Sequence, residues 1–360
     1  MADVPPQVDR NGQADGQAGG VSAAELRHLP KAELHLHLDG SLRPSTVEEL
    51  ARARSVIPAG APPGAAMDRV RVTRRAGLAE ALAGFDILLP LLQTTPDLAR
   101  VTRELVEDLH DDGVVYAELR FCPRLNTELG LTVDEVLATV AEAAADASAV
   151  TGTRTRLIAC FMTGVDADWN DPVIDAAIRR RGDGVIAVDL AGPVADRTPE
   201  WVDHTAALFA RARAAGLDVT IHAGEAEGPD AIRTALDRFG AQRIGHATSL
   251  VDDPELLAEV PERGIVLETC PQSNYWTRTP EQLPSLAEHP LGRLLAAGAA
   301  VCCNTDDRTL FGNDLSGELA AIAAAQGLGD AEVGALVATG FAGAFDRAMA
   351  ADALRSGRPA

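Results

Sequence analysis

Eight short apolar or β-branched stretches punctuate the chain, and each breaks off into polar residues. The first lies in LPKAELHLHLDGS, residues 29–41. Its alternation has a period of two, which reads as a strand with His35 and His37 on one face and Leu34, Leu36 and Leu38 on the other. The other seven are VVYAELRFCP (114–123), TRLIACFMTG (155–164), GVIAVDLAG (184–192), DVTIHAGE (218–225), RIGHAT (243–248), GIVLETCPQS (264–273) and AAVCCNTDD (299–307). Helical patterns with recognisable ends separate most of them. Within 97–112, Leu98, Val101, Leu105 and Leu109 share a face, Thr95-Pro96 opens the helix and Gly113 closes it. Thr132 and Glu135 form a capping-box pattern, and Thr198-Pro199 with Gly216 brackets a further helix.

Strands alternating with helices in this way predict an α/β fold, a (β/α)8 barrel of the TIM type, with a doubly wound sheet as the alternative. The segment 41–112 is much longer than one crossover and carries IPAGAPPGAA at 57–66. It is expected to be a lid insertion, a set of extra helices over the C-terminal mouth with a mobile loop. Residues 1–24, rich in Gly, Gln, Asp and Pro, read as a disordered tail, and 25–350 as one domain without internal repeats beyond the βα unit.

Composition narrows the classes. The chain has 360 residues, 46% of them apolar, enough for one large buried core. A net charge of −21 argues against nucleic acid or an anionic membrane surface as partner, since both would be repelled. Lys31 is the sole lysine, so no Walker P-loop exists, and neither GxSxG nor a strand-following GxGxxG occurs. The start lacks the features of a signal peptide and no apolar run is long enough to span a bilayer, so a cytoplasmic location is expected. The five cysteines show no CxxC spacing and sit in strand-like runs, as buried free thiols do.

Catalytic groups of such barrels sit at the carboxyl ends of strands. Strand one ends with His35, His37 and Asp39, strand five with His222 and Glu225, strand six with His246, and strand eight with Asp306-Asp307. The remaining histidines, His28, His110, His204 and His289, occupy helical or loop contexts and are expected at the surface. Three imidazoles and a carboxylate from separate strand ends suit Zn²⁺ with a position left for water, which points to His35, His37, His222 and Asp306. A binuclear site would call for a bridging carboxylated lysine, and Lys31 precedes strand one, so a single metal is expected.

The segments KAELHLHLDGS, DLAG, HAGE, RIGH, CPQSN and NTDD, in this order and spacing from Pro30 to Ser316, resemble the adenosine deaminases of the metal-dependent amidohydrolase superfamily. The resemblance implies a (β/α)8 barrel, one Zn²⁺ per chain and hydrolytic removal of the 6-amino group of a purine nucleoside. It implies the same four ligands, His35, His37, His222 and Asp306. Glu225 falls on the family's proton donor and His246 on its water-activating histidine. Substrate contacts fall on His37, on the backbone of Gly192, on Asp307 and on Asp39, the last as acceptor of the ribose 5′-hydroxyl.

The chemistry of the residues agrees: a glutamic acid kept protonated by a dry pocket can protonate purine N1 as water adds at C6, and His246 can take or orient the proton of the water. Arg308 stands where the family has proline, Ala81-Leu82 replaces a Phe-Leu pair with Phe85 retained, and Pro193-Val194 follows DLAG where an acidic residue is common. These departures bear on the substrate. The expected activity is adenosine and 2′-deoxyadenosine deamination. The alternatives are another 6-aminopurine (adenine, an N6-substituted adenine nucleoside or aminodeoxyfutalosine) and a non-catalytic nucleoside-binding relative.

Overall fold

The computed structural model describes residues 21–195 and 197–357. Residues 1–20 of the expected tail lie outside the described residues; its last part is the Ser22 cap and the start of a short helix, Ala23–Leu26. All eight apolar stretches contain strands: β1 (Lys31–His37), β2 (Val114–Phe121), β3 (Arg154–Met162), β4 (Val185–Ala191), β5 (Asp218–Ala223), β6 (Arg243–His246), β7 (Val266–Thr269) and β8 (Ala300–Cys303). They pair in parallel in chain order, which is a TIM-type barrel and excludes the doubly wound sheet. Apolar side chains on the outer face, such as Leu157, Val188, Val219 and Leu267, are fully buried under the surrounding helices.

The seam between β8 and β1 closes by polar groups beyond β8. Asn304 Oδ1 accepts from the backbone of Leu34 and His35 at 2.9 and 3.1 Å. His37 N donates to Asp306 O, and Asp306 N to His35 O. One backbone bridge, Leu36 with Asp306, thus completes the ring and places Asp306 between the two strand-one histidines.

Inside the barrel, charge replaces much of the usual aliphatic filling. Arg120 donates to Asp189 at 2.9 Å and to Glu268 at 2.7 Å, with all three side chains fully buried. Arg243 pairs with Glu118 and Glu268, each at 2.6 Å, and donates to Gly343 O near the chain's end. Burial opposes ionisation of Glu268, yet Arg120 and Arg243 hold its carboxyl well below the ordinary range.

The helix predicted over 97–112 runs Thr95–Asp111, and its cap is Thr94, one residue earlier than the sequence pattern placed it. The capping box of Thr132 and Glu135 is present in both directions. The segment 41–112 holds further helices at Pro44–Ala53, Met67–Val70, Leu78–Ala81 and Phe85–Leu88. The last helix, Arg347–Ser356, extends past residue 350. Among the described residues no helix is long and apolar enough to cross a membrane, and all five cysteines are free and buried.

Candidate active site

His35 and His37 leave β1 on the same face, and His222 approaches from β5. Asp306 reaches them from just past β8 with a left-handed backbone, φ +65°. Ligand atoms of His35, His37, His222 and Asp306 all lie within 4.8 Å of one another. Asp306 Oδ1 is 3.2 Å from His35 Nε2 and 3.4 Å from His37 Nε2, and the Nε2 atoms of His37 and His222 are 3.0 Å apart. His35 Nε2 is buried without a hydrogen-bond partner. Ring nitrogens crowded together and aimed at a carboxylate, with one of them orphaned, fit a divalent metal of the nitrogen- and oxygen-binding kind.

Behind the cluster stand two carboxylates that the sequence reading passed over. Glu268 lies 2.9 Å from His35 Nδ1, and Asp189 lies 3.0 Å from His222 Nδ1. Each accepts the Nδ1 proton and so turns an Nε2 lone pair toward the cluster. Burial pushes the Asp189 carboxyl up, but His222 and Arg120 outweigh it and keep it ionised. The available signal was a carboxylate inside an apolar strand, Asp in VDLAG and Glu in VLETC.

Beside the cluster opens a cavity. Leu78, Ala81, Leu82 and Phe85 of the 41–112 segment form part of its wall with Met162, Leu310 and Phe311, while Asp39, Gly192, Glu225, His246, Asp306 and Asp307 supply its polar side. Glu225 lies 3.6 Å from His246 and is pushed up to about 7 by burial and by the Asp306 charge. Asp307 is driven well above the carboxylate range by burial and by Asp306, Asp39 and Glu225. Oδ1 of Asp39 and Oδ1 of Asp307 are both buried without partners. Gly40 makes room for Asp307: a Cβ there would sit 1.7 Å from Asp307 Oδ1. Gly192 has φ +114°, which only glycine adopts readily, and so brings its backbone to the cavity wall.

The structure therefore brings together His35, His37, Asp39, Gly192, His222, Glu225, His246, Asp306 and Asp307, the site residues that the sequence singled out. It places Arg308 elsewhere: its guanidinium turns to Asn313 O and toward the acids Glu33, Asp112 and Asp314, and it does not line the cavity. Among the described residues no arginine or lysine does. His289, expected at the surface, is 2% exposed and contacts Asn274, which in turn contacts His246. Helix Leu291–Ala296, directly after it, accounts for that burial. His28 is exposed, as expected, and His204 is half-buried against Asp171.

The sequence model of the adenosine deaminase family matches residues 30–357. An adenosine deaminase of Enterococcus faecalis is 34% identical over 326 residues, covering 90% of this chain and 94% of the relative. An aminodeoxyfutalosine deaminase of Streptomyces coelicolor is also 34% identical, over 327 residues, covering 89% and 81%. Among solved structures, an amidohydrolase from Burkholderia ambifaria with bound Zn superposes with a TM-score of 0.80 at 27% identity, covering 96% of this chain and 97% of the other.

Proposed function

The chain belongs to the adenosine deaminase family and is a metal-dependent hydrolase of a C–N bond of an adenine nucleoside; from that premise we propose that it converts adenosine and 2′-deoxyadenosine to inosine and ammonia, with one Zn²⁺ per chain held by His35, His37, His222 and Asp306. The observation that carries the choice of substrate is the cavity: four carboxylic groups, two of them with unpartnered oxygens, and no cation on its wall. On that wall no arginine or lysine among the described residues stands to pair with a substrate's phosphate or carboxylate; Arg197 lines only the adjoining recess. A neutral nucleoside fits, with its hydroxyls as donors.

A zinc ion in this donor set would supply Lewis acidity and so hydroxide near neutral pH. The chain's own residues do the rest. Glu225, protonated in its dry setting, donates to N1 as water adds at C6. Asp307, also protonated, donates to N7, and the Gly192 backbone meets the other edge of the ring. His37 and Asp39 flank the sugar side, where Asp39 Oδ1 accepts the 5′-hydroxyl. The apolar wall from Leu78 to Phe85 excludes water from the ring. Five free buried thiols suit a reducing compartment, consistent with the cytoplasm.

The test is kcat/KM of the zinc-loaded protein for adenosine, 5′-deoxyadenosine, adenine and 5′-AMP. A buried acceptor left without its hydroxyl can discriminate by about 10⁴–10⁵-fold, so adenosine should lead by orders of magnitude. Equal values, or preference for adenine or 5′-AMP, would overturn the assignment.

A further inference from the structure

The first N–H groups of a helix have no acceptor within it. In helix Leu291–Ala296 the N–H of Leu291 finds one outside, donating to His289 Nδ1 at 3.2 Å across Pro290. A backbone N–H can only donate, so His289 Nδ1 is the acceptor. Burial keeps this ring neutral, pushing it down to about 3, and its proton is therefore on Nε2. That Nε2–H lies 3.1 Å from Asn274 Oδ1. The opposite amide orientation would set two donors against each other, so the NH2 group of Asn274 points the other way. It meets His246 Nδ1 at 3.0 Å. His246 Nδ1 is thus an acceptor as well, and the proton of its neutral ring sits on Nε2, facing Glu225 at 3.6 Å and Asp306 at 4.0 Å. His246, Asn274 and His289 are all at most 2% exposed, so the bond order along the chain is set within the protein.

The contrast with His35 and His222 gives this polarity a meaning. Those two rings rest Nδ1 on carboxylates and offer a lone pair from Nε2. His246 rests Nδ1 on an amide donor and offers N–H instead. We propose that His289 and Asn274 are positioning residues that hold His246 as its Nε2–H tautomer, which makes it a fixed hydrogen-bond donor to the oxygen adding at C6 and keeps it out of the metal's ligand set. This rests on the deaminase reading, and it decides between the two roles open to His246: it orients the attacking oxygen and does not take its proton, which the water would already have lost to solvent, its pKa lowered by a zinc ion held in the site. It also selects between two donor groups, since among the described residues His246 with Cys270 and Asp306 is the other cluster close enough to hold a metal.

The tautomer is read directly by ¹⁵N-histidine NMR of the full chain, without substrate, with His246 assigned by subtracting the spectrum of His246→Gln. The wild-type ring should carry its proton on Nε2 alone. Asn274→Asp exchanges the donor for an acceptor and should move the proton to Nδ1, lowering kcat by about 10²–10³-fold, the loss typical of one removed oxyanion donor, with little change in KM. His289→Gln, whose amide can still donate to Asn274, should retain the wild-type tautomer and most of the rate, whereas His289→Leu should give a mixture. A wild-type His246 protonated on Nδ1, or an Asn274→Asp ring unchanged from wild type, overturns the proposal; the wild-type spectrum decides if Asn274→Asp does not fold. The expected tautomer in a protein that leaves adenosine unchanged would instead remove the deaminase reading and leave the positioning role standing.

Discussion

His35 lies 3.2 Å from the Asp306 carboxylate and Glu225 feels the charge of the same group, yet their surroundings give them different work. His35 is fully buried, backed by Glu268 and left with an orphaned Nε2, so its loss removes a donor that nothing else replaces. Glu225 is buried against His246 and the Thr277 side of the cavity and belongs to no donor cluster. The two roles separate by metal content. His35→Ala should lose both zinc and activity, while Glu225→Gln should keep about one zinc per chain by elemental analysis and lose roughly 10²–10⁴-fold in kcat, the range for a removed general acid. Zinc-free Glu225→Gln, or fully loaded and active His35→Ala, would reverse the assignment.

Among the elements, strand ends and helix starts carry the strain and the caps that aim these groups. Four described non-glycine residues have positive φ, and three of them, His246, Ala247 and Asp306, lie where β6 and β8 end in the site. Such conformations persist only where surrounding bonds over-determine them. At Asp306 those bonds are the seam contacts to His35 O and from His37 N. The long helix Thr95–Asp111 shows the simpler case. Thr94 Oγ1 accepts from Asp97 N and donates to its carboxylate at 2.7 Å. Thr94→Ala should cost about 1 kcal/mol in chemical denaturation and leave kcat/KM unchanged, because the helix carries no group of the site.

For the molecule as a whole, the buried ion network ties stability to function. Arg120 neutralises Asp189 and Glu268, and these two hold His222 and His35. Arg120→Met would leave buried Asp189 without an arginine and Glu268 with Arg243 alone, and breaking a buried pair costs about 3–5 kcal/mol, so the midpoint of denaturation should fall steeply and zinc affinity with it. Glu318, a carboxyl outside this network, contributes to the pH response of stability. Glu318 accepts from Gln272 N, Gln272 Nε2 and Asn313 Nδ2, but burial still pushes it from 4.5 up to about 8. A folded value above the unfolded one means that the folded state holds the proton more tightly. Its stabilising contribution is complete below about 4.5 and is lost as the pH rises through 8. Glu318→Gln should therefore flatten the decline of Tm between pH 5 and 8; an unchanged slope would place the titration elsewhere.

The chain's local patterns were enough to locate the eight strands, the barrel class and the residues at the strand ends, because period-two alternation, apolar runs and the polar residues that stop them are properties of neighbouring positions. For the same reason helix starts were legible only to within a residue, as Thr94 in place of Thr95 shows. What stands behind each imidazole was not legible. Glu268 is 233 positions from His35, and nothing in VLETC says which ring its carboxylate will meet. His289, in a loop context, read as a surface residue, and it is buried because the helix that follows uses its ring as a cap and Asn274 closes over it. The kinds of groups in the site were thus set by sequence, while tertiary structure alone decided their partners. Those partners determine which nitrogen bears a proton, since a hydrogen bond has a direction that only the atom on its far side can set.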